Sequence, residues 1–295
     1  MRSPKVSIIM GIFNCERYLG DAIESILSQT FSDWEFIMCD DGSSDRTLQI
    51  AEKYKLKYPK KFVILKNEKN MGLNYTLNKC LAVANGEYIA RMDGDDICAP
   101  TRLEKEVIFL ENHPEFALVS TEMVMFDELG DWGIKKVIER PSKNDFCRHT
   151  PFFCHAAVMI RKRVFQEVEG YTVDPKLLRV EDCHLWFKIY GRGYVGANIS
   201  EPLYKMRDDR NATNRRTFKA RMNGIYVMWI GFHLLQMPWY KYWYVLRGAV
   251  LELVKCIIPL SVYEFLHKRK FDRSVSNEYI VAQLSRQKSK IFIMN

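Results

Sequence analysis

Short apolar runs alternate with amphipathic stretches along the first hundred residues of the chain. The apolar runs have the length and β-branched character of buried strands, and the stretches between them carry apolar residues at helical spacing. Strands are predicted at residues 6–10, 34–39, 62–65 and 88–92. Helices are predicted at residues 16–29 and 73–84. A further helix is predicted to begin at Ser43 or Ser44, as its cap, and to end at about residue 58. Strict alternation with right-handed crossovers predicts an α/β fold with a mainly parallel, doubly wound sheet.

The pattern is less regular after residue 100 but still predicts mixed structure. A compact amphipathic helix is predicted at residues 185–190, directly after the carboxylate pair Glu181-Asp182. The other elements expected here are helices at 101–113 and 142–149 and β-structure at 116–120, 123–127, 135–138 and 155–160.

The last third of the chain changes character. Apolar runs at residues 225–235 and 243–260 are interrupted by charges and flank an aromatic cluster at residues 239–244. Neither run reaches the roughly 20 uninterrupted apolar residues of a membrane-spanning helix. We therefore expect two regions, a catalytic domain at 1–220 and a helical region at 221–295. The second region either lies in a membrane interface or packs on the catalytic domain.

Charge separates the same two parts of the chain. Residues 201–295 carry 17 Lys and Arg against 7 Asp and Glu, a net charge of +10, whereas residues 1–200 carry 27 against 29, a net charge of −2. The basic region indicates an anionic partner, either nucleic acid or an anionic membrane surface. No nucleic-acid-binding motif is present, which favours the membrane. The eight cysteines show no paired spacing and no signal-peptide pattern precedes the first strand, so we expect a reducing cytosol.

Two acidic clusters follow predicted strands, and both fall at the carboxyl edge of the sheet. Asp40 and Asp41 follow the second strand, and Asp93-Gly94-Asp95-Asp96 follows the fourth. Carboxylates this close repel one another unless a hard cation such as Mg²⁺ or Mn²⁺ binds among them. The first strand-to-helix turn lacks a Gly-x-Gly-x-x-Gly fingerprint, and no Walker motif occurs, so a metal is expected to meet any phosphate charge.

These motifs, in this order, resemble the inverting GT-A glycosyltransferases of family 2, of the bacterial O-antigen and exopolysaccharide type. The resemblance covers roughly residues 4–207 and includes residues 6–14, Asp40-Asp41-Gly42-Ser43-Ser44-Asp45, Asn70-x-Gly72, Asp93-Gly-Asp-Asp96 and Glu181-Asp182-x-x-Leu185-Trp186. It implies a GT-A fold, a nucleotide-sugar donor and Mn²⁺ or Mg²⁺ as cofactor.

The resemblance also implies roles for individual residues on the donor side. Asp41 would contact the uracil or ribose, and Asn14 and Glu16 would line the same pocket. Asp95 would hold the metal on the diphosphate, and Asp93 would touch the ribose or a metal-bound water. The role of Asp96 is left open.

On the acceptor side, Asp182 is implied as the general base and Glu181 as its neighbour. Trp186 and His184 are candidate acceptor contacts, and a structural role is an equal alternative for His184, which replaces a different residue in many relatives. The helix after Asn70-x-Gly72 lacks the arginine that many relatives carry, and the segment at 204–210 lacks their histidine. Arg207, with Arg210 behind it, is therefore predicted to cover the pyrophosphate, the alternative being a solvated basic loop.

The resemblance thus implies transfer of a hexose from a UDP-sugar (UDP-Glc, UDP-Gal or an N-acetyl derivative) to a lipid-linked saccharide such as GlcNAc-diphosphate-undecaprenol, forming a β-linkage. The expected location is peripheral, at the cytoplasmic face of the inner membrane of a bacterial cell. Two alternatives remain at this point: a nucleotidyltransferase of related sheet architecture, and a non-catalytic basic binder of nucleic acid.

Overall fold

The computed structural model describes residues 3–148, 152–208 and 217–255. The strands are β1 (Val6–Ile12), β2 (Trp34–Asp40), β3 (Phe62–Lys66), β4 (Tyr88–Arg91), β5 (Ile97–Cys98), β6 (Phe116–Asp127), β7 (Gly130–Lys135), β8 (Met159–Arg161) and β9 (Val195–Arg207). The helices are α1 (Leu19–Leu27), α2 (Thr47–Lys57), α3 (Leu73–Val83), α4 (Arg102–Asn112), α5 (Lys162–Glu167), α6 (Glu181–Gly191), α7 (Phe218–Leu234) and α8 (Tyr242–Lys255).

One sheet runs through the described part of the chain, in the order β3-β2-β1-β4-β8-β6-β9-β5, with β7 paired to β6. The first four strands are parallel, as predicted from their alternation with helices. β6 and β9 are also parallel, whereas β8 pairs antiparallel with both β4 and β6. The carboxyl ends of β1, β2 and β4 therefore meet at one edge, and both acidic clusters lie there.

Helices cover both faces of this sheet, because alternate side chains of each strand point to opposite sides. Ile8 and Met10 pack with α1, α2 and α4 on one face. Ile9 and Ile37 pack with α3, α5, α6 and α7 on the other. A sheet buried on both faces explains why its strands read as continuous apolar runs in the sequence.

Several predicted elements differ from the structure in the second half of the sheet. The predicted pieces at 116–120 and 123–127 form the single strand β6, and β7 ends at Lys135, where the predicted strand began. The expected closing loop from residue 204 is part of β9, which pairs with β6 as far as Arg207. Residues 155–157 form a 3₁₀ turn before β8. These pairings are non-local, so the local sequence pattern does not specify them.

The predicted division after residue 220 falls inside α7, whose N-cap Thr217 accepts a hydrogen bond from the amide of Ala220. α7 contributes Val227, Met228 and Phe232 to the core that contains α6. The two helices touch closely, since a Cβ built on Gly231 would lie 2.3 Å from the ring of Phe187. The described part of the C-terminal region is therefore packed on the catalytic domain. No helix among the described residues is long and apolar enough to cross a membrane.

Candidate functional site

The acidic turn after β4 concentrates negative charge at the sheet edge. Asp93 and Asp95 are partly exposed, and Asp96 is 3% exposed. Burial, together with the charges of Asp93 and Asp95, holds the pKa of the Asp96 carboxyl well above its ordinary value. Asp96 Oδ1 accepts a hydrogen bond from the amide of Arg207 at 2.7 Å. The turn thus presents Asp93 and Asp95 to solvent and ties Asp96 to β9.

Two residues of strand β9, Tyr204 and Arg207, contact the acidic turn. The Asp93 amide donates to Tyr204 Oη at 3.2 Å, and Tyr204 is fully buried. Arg207 Nε donates to the Asp95 carbonyl at 3.2 Å, and its guanidinium carbon lies 3.9 Å from the Tyr18 ring centroid. Arg207 is therefore held beside the acidic turn, and its contact with a diphosphate stays a prediction. Its predicted companion, Arg210, lies outside the described residues.

A buried arginine below the turn was not among the predicted site residues. Arg91 is 4% exposed, and its Nη2 donates to Asp93 Oδ1 at 2.5 Å. Its carbonyl accepts from Arg102 Nη2 at 2.9 Å, and its own Nε has no hydrogen-bond partner among the described residues. A charged residue is rarely buried in an apolar strand without a partner. The charge of Arg91 within the apolar run at 88–92 was therefore the sequence signal that could have marked Arg91 as a site residue.

The loop after β1 is locked to the loop after β2. Asn14, at φ 47°, accepts from the Ser44 amide at 2.9 Å through Oδ1, and its own amide donates to Ser43 Oγ at 3.0 Å. The prediction that Ser43 or Ser44 caps the second helix is wrong, because both serines bind Asn14 and α2 begins at Thr47 without a side-chain cap.

Glu16 belongs to the same junction. Its Oε2 accepts from the amide and the Nε of Arg46 at 2.9 and 3.1 Å, and these bonds lower the pKa of the carboxyl. The structure thus brings Asn14 and Glu16 to one side of the sheet edge, where both hold loop backbone. Their contact with a nucleotide stays a prediction.

Asp41 organises the neighbouring turn before α3. Its Oδ1 accepts from Asn67 Nδ2 and the Met71 amide, both at 2.8 Å, and its Oδ2 accepts from the Gly72 amide at 2.9 Å. Gly72 has φ 88°, a left-handed conformation that favours glycine. A carboxylate offers about four acceptor sites, so Asp41 retains little capacity beyond these three bonds. A donor nucleotide would meet a carboxylate that is already fixed in orientation.

Glu181 and Asp182 lie in the first turn of α6. Burial and the adjacent Asp182 raise the pKa of Glu181 above its ordinary value. Asp182 Oδ1 accepts from the Cys183 amide at 2.7 Å. A carboxylate at a helix N-terminus is favoured by the helix dipole. The Asp182 side chain is thus tied to the backbone at the start of α6, next to the partly buried Glu181.

Two residues that were not predicted to belong to the site, His155 and Tyr171, contact each other. His155 Nε2 lies 2.9 Å from Tyr171 Oη. Burial, and then the charge of Arg91, hold the pKa of His155 well below its ordinary value, so the ring is neutral. Burial raises the pKa of Tyr171, and Arg91, Glu181 and Asp93 also act on it. Charges of both the acidic turn and the start of α6 therefore act on Tyr171.

The two candidate acceptor contacts are both largely buried. Trp186 is 1% exposed and packs edge-to-face on Phe153 and His155, with ring centroids 5.2 and 5.9 Å apart. It belongs to the core under the site and has no surface to offer an acceptor. His184 is 8% exposed, and burial lowers its pKa to about 4. Its environment fits the structural alternative.

The carboxylates fit a metal that is shared with a ligand. Among the described residues, no group of three or more His, Cys, Asp and Glu side chains converges to hold a metal ion. Mg²⁺ and Mn²⁺ commonly bind through one or two carboxylates and fill the remaining positions with water and phosphate oxygens. Asp95 and Asp93 offer that incomplete donor set, and a cation there would offset the mutual repulsion of the carboxylates, which adds to burial in raising the pKa of Asp96.

Comparison with known proteins gives one family match and several long alignments. Residues 7–169 match the family model described as glycosyl transferase family 2. EpsE of Bacillus subtilis (strain 168), named as a glycosyltransferase, is 40% identical over 90% of this chain and 94% of its own length. The amylovoran biosynthesis glycosyltransferase AmsE of Erwinia amylovora is 29% identical over 89% of this chain and 98% of its own.

Two solved structures share the fold at low sequence identity. S. aureus TarS 1–349 in complex with UDP-GlcNAc aligns with a TM-score of 0.63 and 18% identity, over 81% of this chain and 72% of its own. The mannosyltransferase PcManGT from Pyrobaculum calidifontis, in complex with GDP-Man and Mn²⁺, aligns with a TM-score of 0.61 and 17% identity, over 90% and 79%.

Proposed function

The chain belongs to glycosyltransferase family 2, and from this membership and its site we propose that it transfers a hexose from a UDP-sugar to a lipid-linked saccharide. The predicted GT-A fold is confirmed by the structural likenesses. Membership of this family favours glycosyl transfer over the two alternatives, a nucleotidyltransferase and a non-catalytic binder of nucleic acid. The substrate, the metal and the membrane partner are parts of the proposal.

One observation carries this proposal. A single sheet edge brings together the loop junction around Asn14 and Asp41 and the acidic turn at residues 93–96, and the charge of Arg91, next to that turn, acts on Glu181 at the start of α6. A donor nucleotide in the first group, its diphosphate at the second and an acceptor hydroxyl at the third would lie in sequence order across the edge. This is the ligand edge of an open α/β sheet.

The reaction we propose is a single in-line displacement with Asp182 as general base. Its carboxylate accepts the proton of the acceptor hydroxyl while that oxygen forms a bond to the anomeric carbon. The bond from the anomeric carbon to the diphosphate breaks on the opposite face, and its electron pair leaves with UDP. Attack opposite the leaving group inverts the configuration, so an α-linked donor gives a β-linked product. General base catalysis of this kind contributes about 10²- to 10⁴-fold in rate.

The chain's own residues then have distinct tasks. Asp95 and Asp93 would hold Mn²⁺ or Mg²⁺, which supplies positive charge to the departing diphosphate. Arg207, beside the Asp95 carbonyl, would add a second cation on the same oxygens. Asn14, Glu16 and Asp41 hold the loops against which the uridine would bind. Glu181, with its raised pKa, would keep the surroundings of Asp182 from carrying two full negative charges.

Several features support the substrate class. AmsE is named for the biosynthesis of amylovoran, which favours the assembly of a bacterial surface polysaccharide for this chain also. The UDP-GlcNAc complex of TarS favours a UDP-sugar donor, and the Mn²⁺ of PcManGT favours a divalent metal. The net charge of +10 over residues 201–295 favours peripheral attachment to an anionic bilayer, and the negative surface potential of the cytoplasmic leaflet favours that face.

A donor screen tests this proposal. The full-length protein is offered UDP-Glc, UDP-Gal, UDP-GlcNAc, UDP-GalNAc and GDP-Man, each with GlcNAc-diphosphate-undecaprenol and Mn²⁺, and products are identified by mass spectrometry. We expect one UDP-sugar to give a product one hexose heavier, with a β-linkage by NMR. Transfer from GDP-Man alone would overturn the proposed donor class. The absence of both transfer and donor hydrolysis with every sugar nucleotide tested would overturn the proposed reaction.

A further inference from the structure

The outward face of α8 is apolar, the reverse of what a helix on a soluble surface normally shows. Five side chains define this face, which we call the α8 stripe. They are Trp239 (85% exposed), Trp243 (63%), Leu246 (55%), Val250 (51%) and Leu253 (47%). Their spacing of four, three, four and three residues places them along one side of the helix and the turn before it.

The inward face of α8 completes the contrast. Val245 is 6% exposed and packs in the core. Glu252, the one carboxylate in the helix sequence, points toward α7, where Arg221 Nη1 lies 2.9 Å from its Oε2. The exposed side of α8 therefore carries no negative charge among its described side chains, and Arg247 is its exposed charged residue. The helix presents an apolar surface with a basic margin.

Charge distinguishes between the partners that could cover such a surface. Two copies that met symmetrically through the stripe would bring their Arg247 side chains toward each other. Residues 256–295 carry 7 Lys and Arg against 3 Asp and Glu, so this segment is also basic. Both partners would repel the margin of the stripe, whereas anionic lipid headgroups would attract it.

The residue types point the same way. Tryptophan and tyrosine concentrate at membrane–water interfaces, where their rings meet the acyl boundary and their polar atoms stay hydrated. Trp239 and Trp243 lie on the stripe, and Tyr240 and Tyr244 lie beside it, 60% and 39% exposed. A helix that binds in the interface plane combines such an apolar face with basic residues near the headgroups.

We propose that the α8 stripe is the surface through which the protein binds an anionic bilayer, with the axis of α8 lying along the membrane. The inference rests on the peripheral attachment proposed above and names the surface responsible. The helix has 14 residues and spans about 21 Å, so the contact is local. Its removal should free the protein from lipid and leave the catalytic site intact.

The test compares one variant with a matched control, both in the full-length chain. Trp243, Leu246 and Val250 are changed together to Ser in the first. In the control, Leu56→Ser and Leu129→Ser remove apolar side chains that are 82% and 83% exposed on α2 and after β6. Binding is measured by flotation with phosphatidylglycerol–cardiolipin vesicles and with phosphatidylcholine vesicles. We expect the stripe variant to lose binding by about tenfold or more and the control to stay within about twofold of the unmodified protein.

Tryptophan fluorescence gives a second readout that identifies the surface directly. Lipids brominated in the acyl chain should quench the emission of the unmodified protein, and Trp239→Phe with Trp243→Phe should remove most of that quenching. The core residues Trp34 and Trp186, 5% and 1% exposed, should not respond. Quenching that persists without Trp239 and Trp243 would place the lipid contact elsewhere and overturn the proposal.

Three further results would also overturn it: unchanged flotation of the stripe variant, equal binding to neutral and anionic vesicles, or a dimer in light scattering that the stripe variant loses. Hydrolysis of the donor is measured on every variant and should not change. If the unmodified protein binds vesicles through the stripe but neither transfers nor hydrolyses any sugar nucleotide, the surface stands and the proposed reaction fails.

Discussion

Arg91 and Asp93 form an ion pair in which the arginine is buried and the carboxylate reaches the surface. Nη2 of Arg91 lies 2.5 Å from Oδ1 of Asp93, and their side chains are 4% and 31% exposed. The guanidinium fixes the orientation of the Asp93 carboxylate through its Oδ1 oxygen. The pair thus links a core strand to the proposed diphosphate site.

Arg91→Met should therefore weaken both stability and donor binding. The change removes the hydrogen bond from Arg91 to the partly exposed Asp93 carboxylate, and a hydrogen bond to a charged group contributes about 1.5–3 kcal/mol. Urea unfolding and calorimetric titration with UDP and Mn²⁺ measure the two effects. Arg192→Met, at the exposed end of α6, is the matched control and should change neither. An Arg91→Met protein that binds UDP as tightly as the unmodified chain would show that Asp93 needs no support.

Asp182→Asn should abolish transfer and leave UDP binding nearly intact, because the amide keeps the shape but cannot accept the proton. We expect kcat to fall by about 10²- to 10⁴-fold. Steady-state kinetics with the lipid-linked acceptor give kcat, and titration with UDP gives the affinity. If Asp182→Asn keeps more than about a tenth of the turnover, another group is the base.

Asp95→Ala should reduce activity and donor affinity together and should weaken the response to added Mn²⁺. The diphosphate would lose the carboxylate that shares the cation with it. Activity is measured against Mn²⁺ concentration, and Asp21→Ala, a carboxylate on the exposed side of α1, serves as control. Full activity of the unmodified protein in EDTA would exclude a metal requirement and leave Arg207 as the group that faces the leaving charge.

The sequence was most informative where one local pattern determined one element. The first four strands and their helices followed from periodicity, and Asp93 and Asp95 followed from their place after β4. His155 and Tyr171 were missed because they lie on either side of β8 and α5 and meet only when the chain folds. Arg91 was missed although its charge stands out inside an apolar strand, because its burial and its pairing with Asp93 depend on the fold. β9 was missed for the same reason, since its pairing with β6 is non-local.

Burial and side-chain partners cannot be read from a motif, as Trp186 and the two serines show. Trp186 follows the carboxylate pair by four residues, yet α6 turns its ring into the core. Ser43 and Ser44 have the chemistry of helix caps, but the amide and side chain of Asn14 compete for both. A residue type gives the possible partners, and the fold selects among them.

Stability should fall as the pH rises from about 4.5 to 7, because of Glu106. This side chain is fully buried beside Arg102, and burial raises its pKa from 4.5 to about 7. The folded state therefore holds the Glu106 proton more tightly than the unfolded state, and deprotonation disfavours folding. The contribution is about 3 kcal/mol across this interval.

Glu106→Gln should remove that part of the pH dependence, because the amide does not titrate. Urea unfolding at pH 5, 6 and 7 measures the slope for both proteins. Glu111→Gln, whose side chain is 48% exposed, is the control and should leave the slope unchanged. Parallel curves for Glu106→Gln and the unmodified protein would mean that Glu106 stays ionised through its pair with Arg102.

Gly231→Ala should destabilise the protein by more than about 2 kcal/mol, because a Cβ there would lie 2.3 Å from the Phe187 ring. Gly224→Ala, also in α7, has no atom within 4 Å of the added Cβ and should be neutral or stabilising by up to about 1 kcal/mol. Thermal unfolding measures both. Equal effects of the two substitutions would mean that α7 is not packed tightly on α6.

The packing of α7 against α6 also determines where this chain can be joined to a relative in a chimeric protein. A chimera joined at residue 220 would place the helix of one parent against the Phe187 surface of another, directly behind Glu181 and Asp182. A chimera joined after Met237 would keep α7 and α6 from the same parent. The membrane-facing helix α8 could then be exchanged if the incoming helix keeps the partner of Arg221, Glu252, whereas a swap at residue 220 would disturb the packing of α7 on α6.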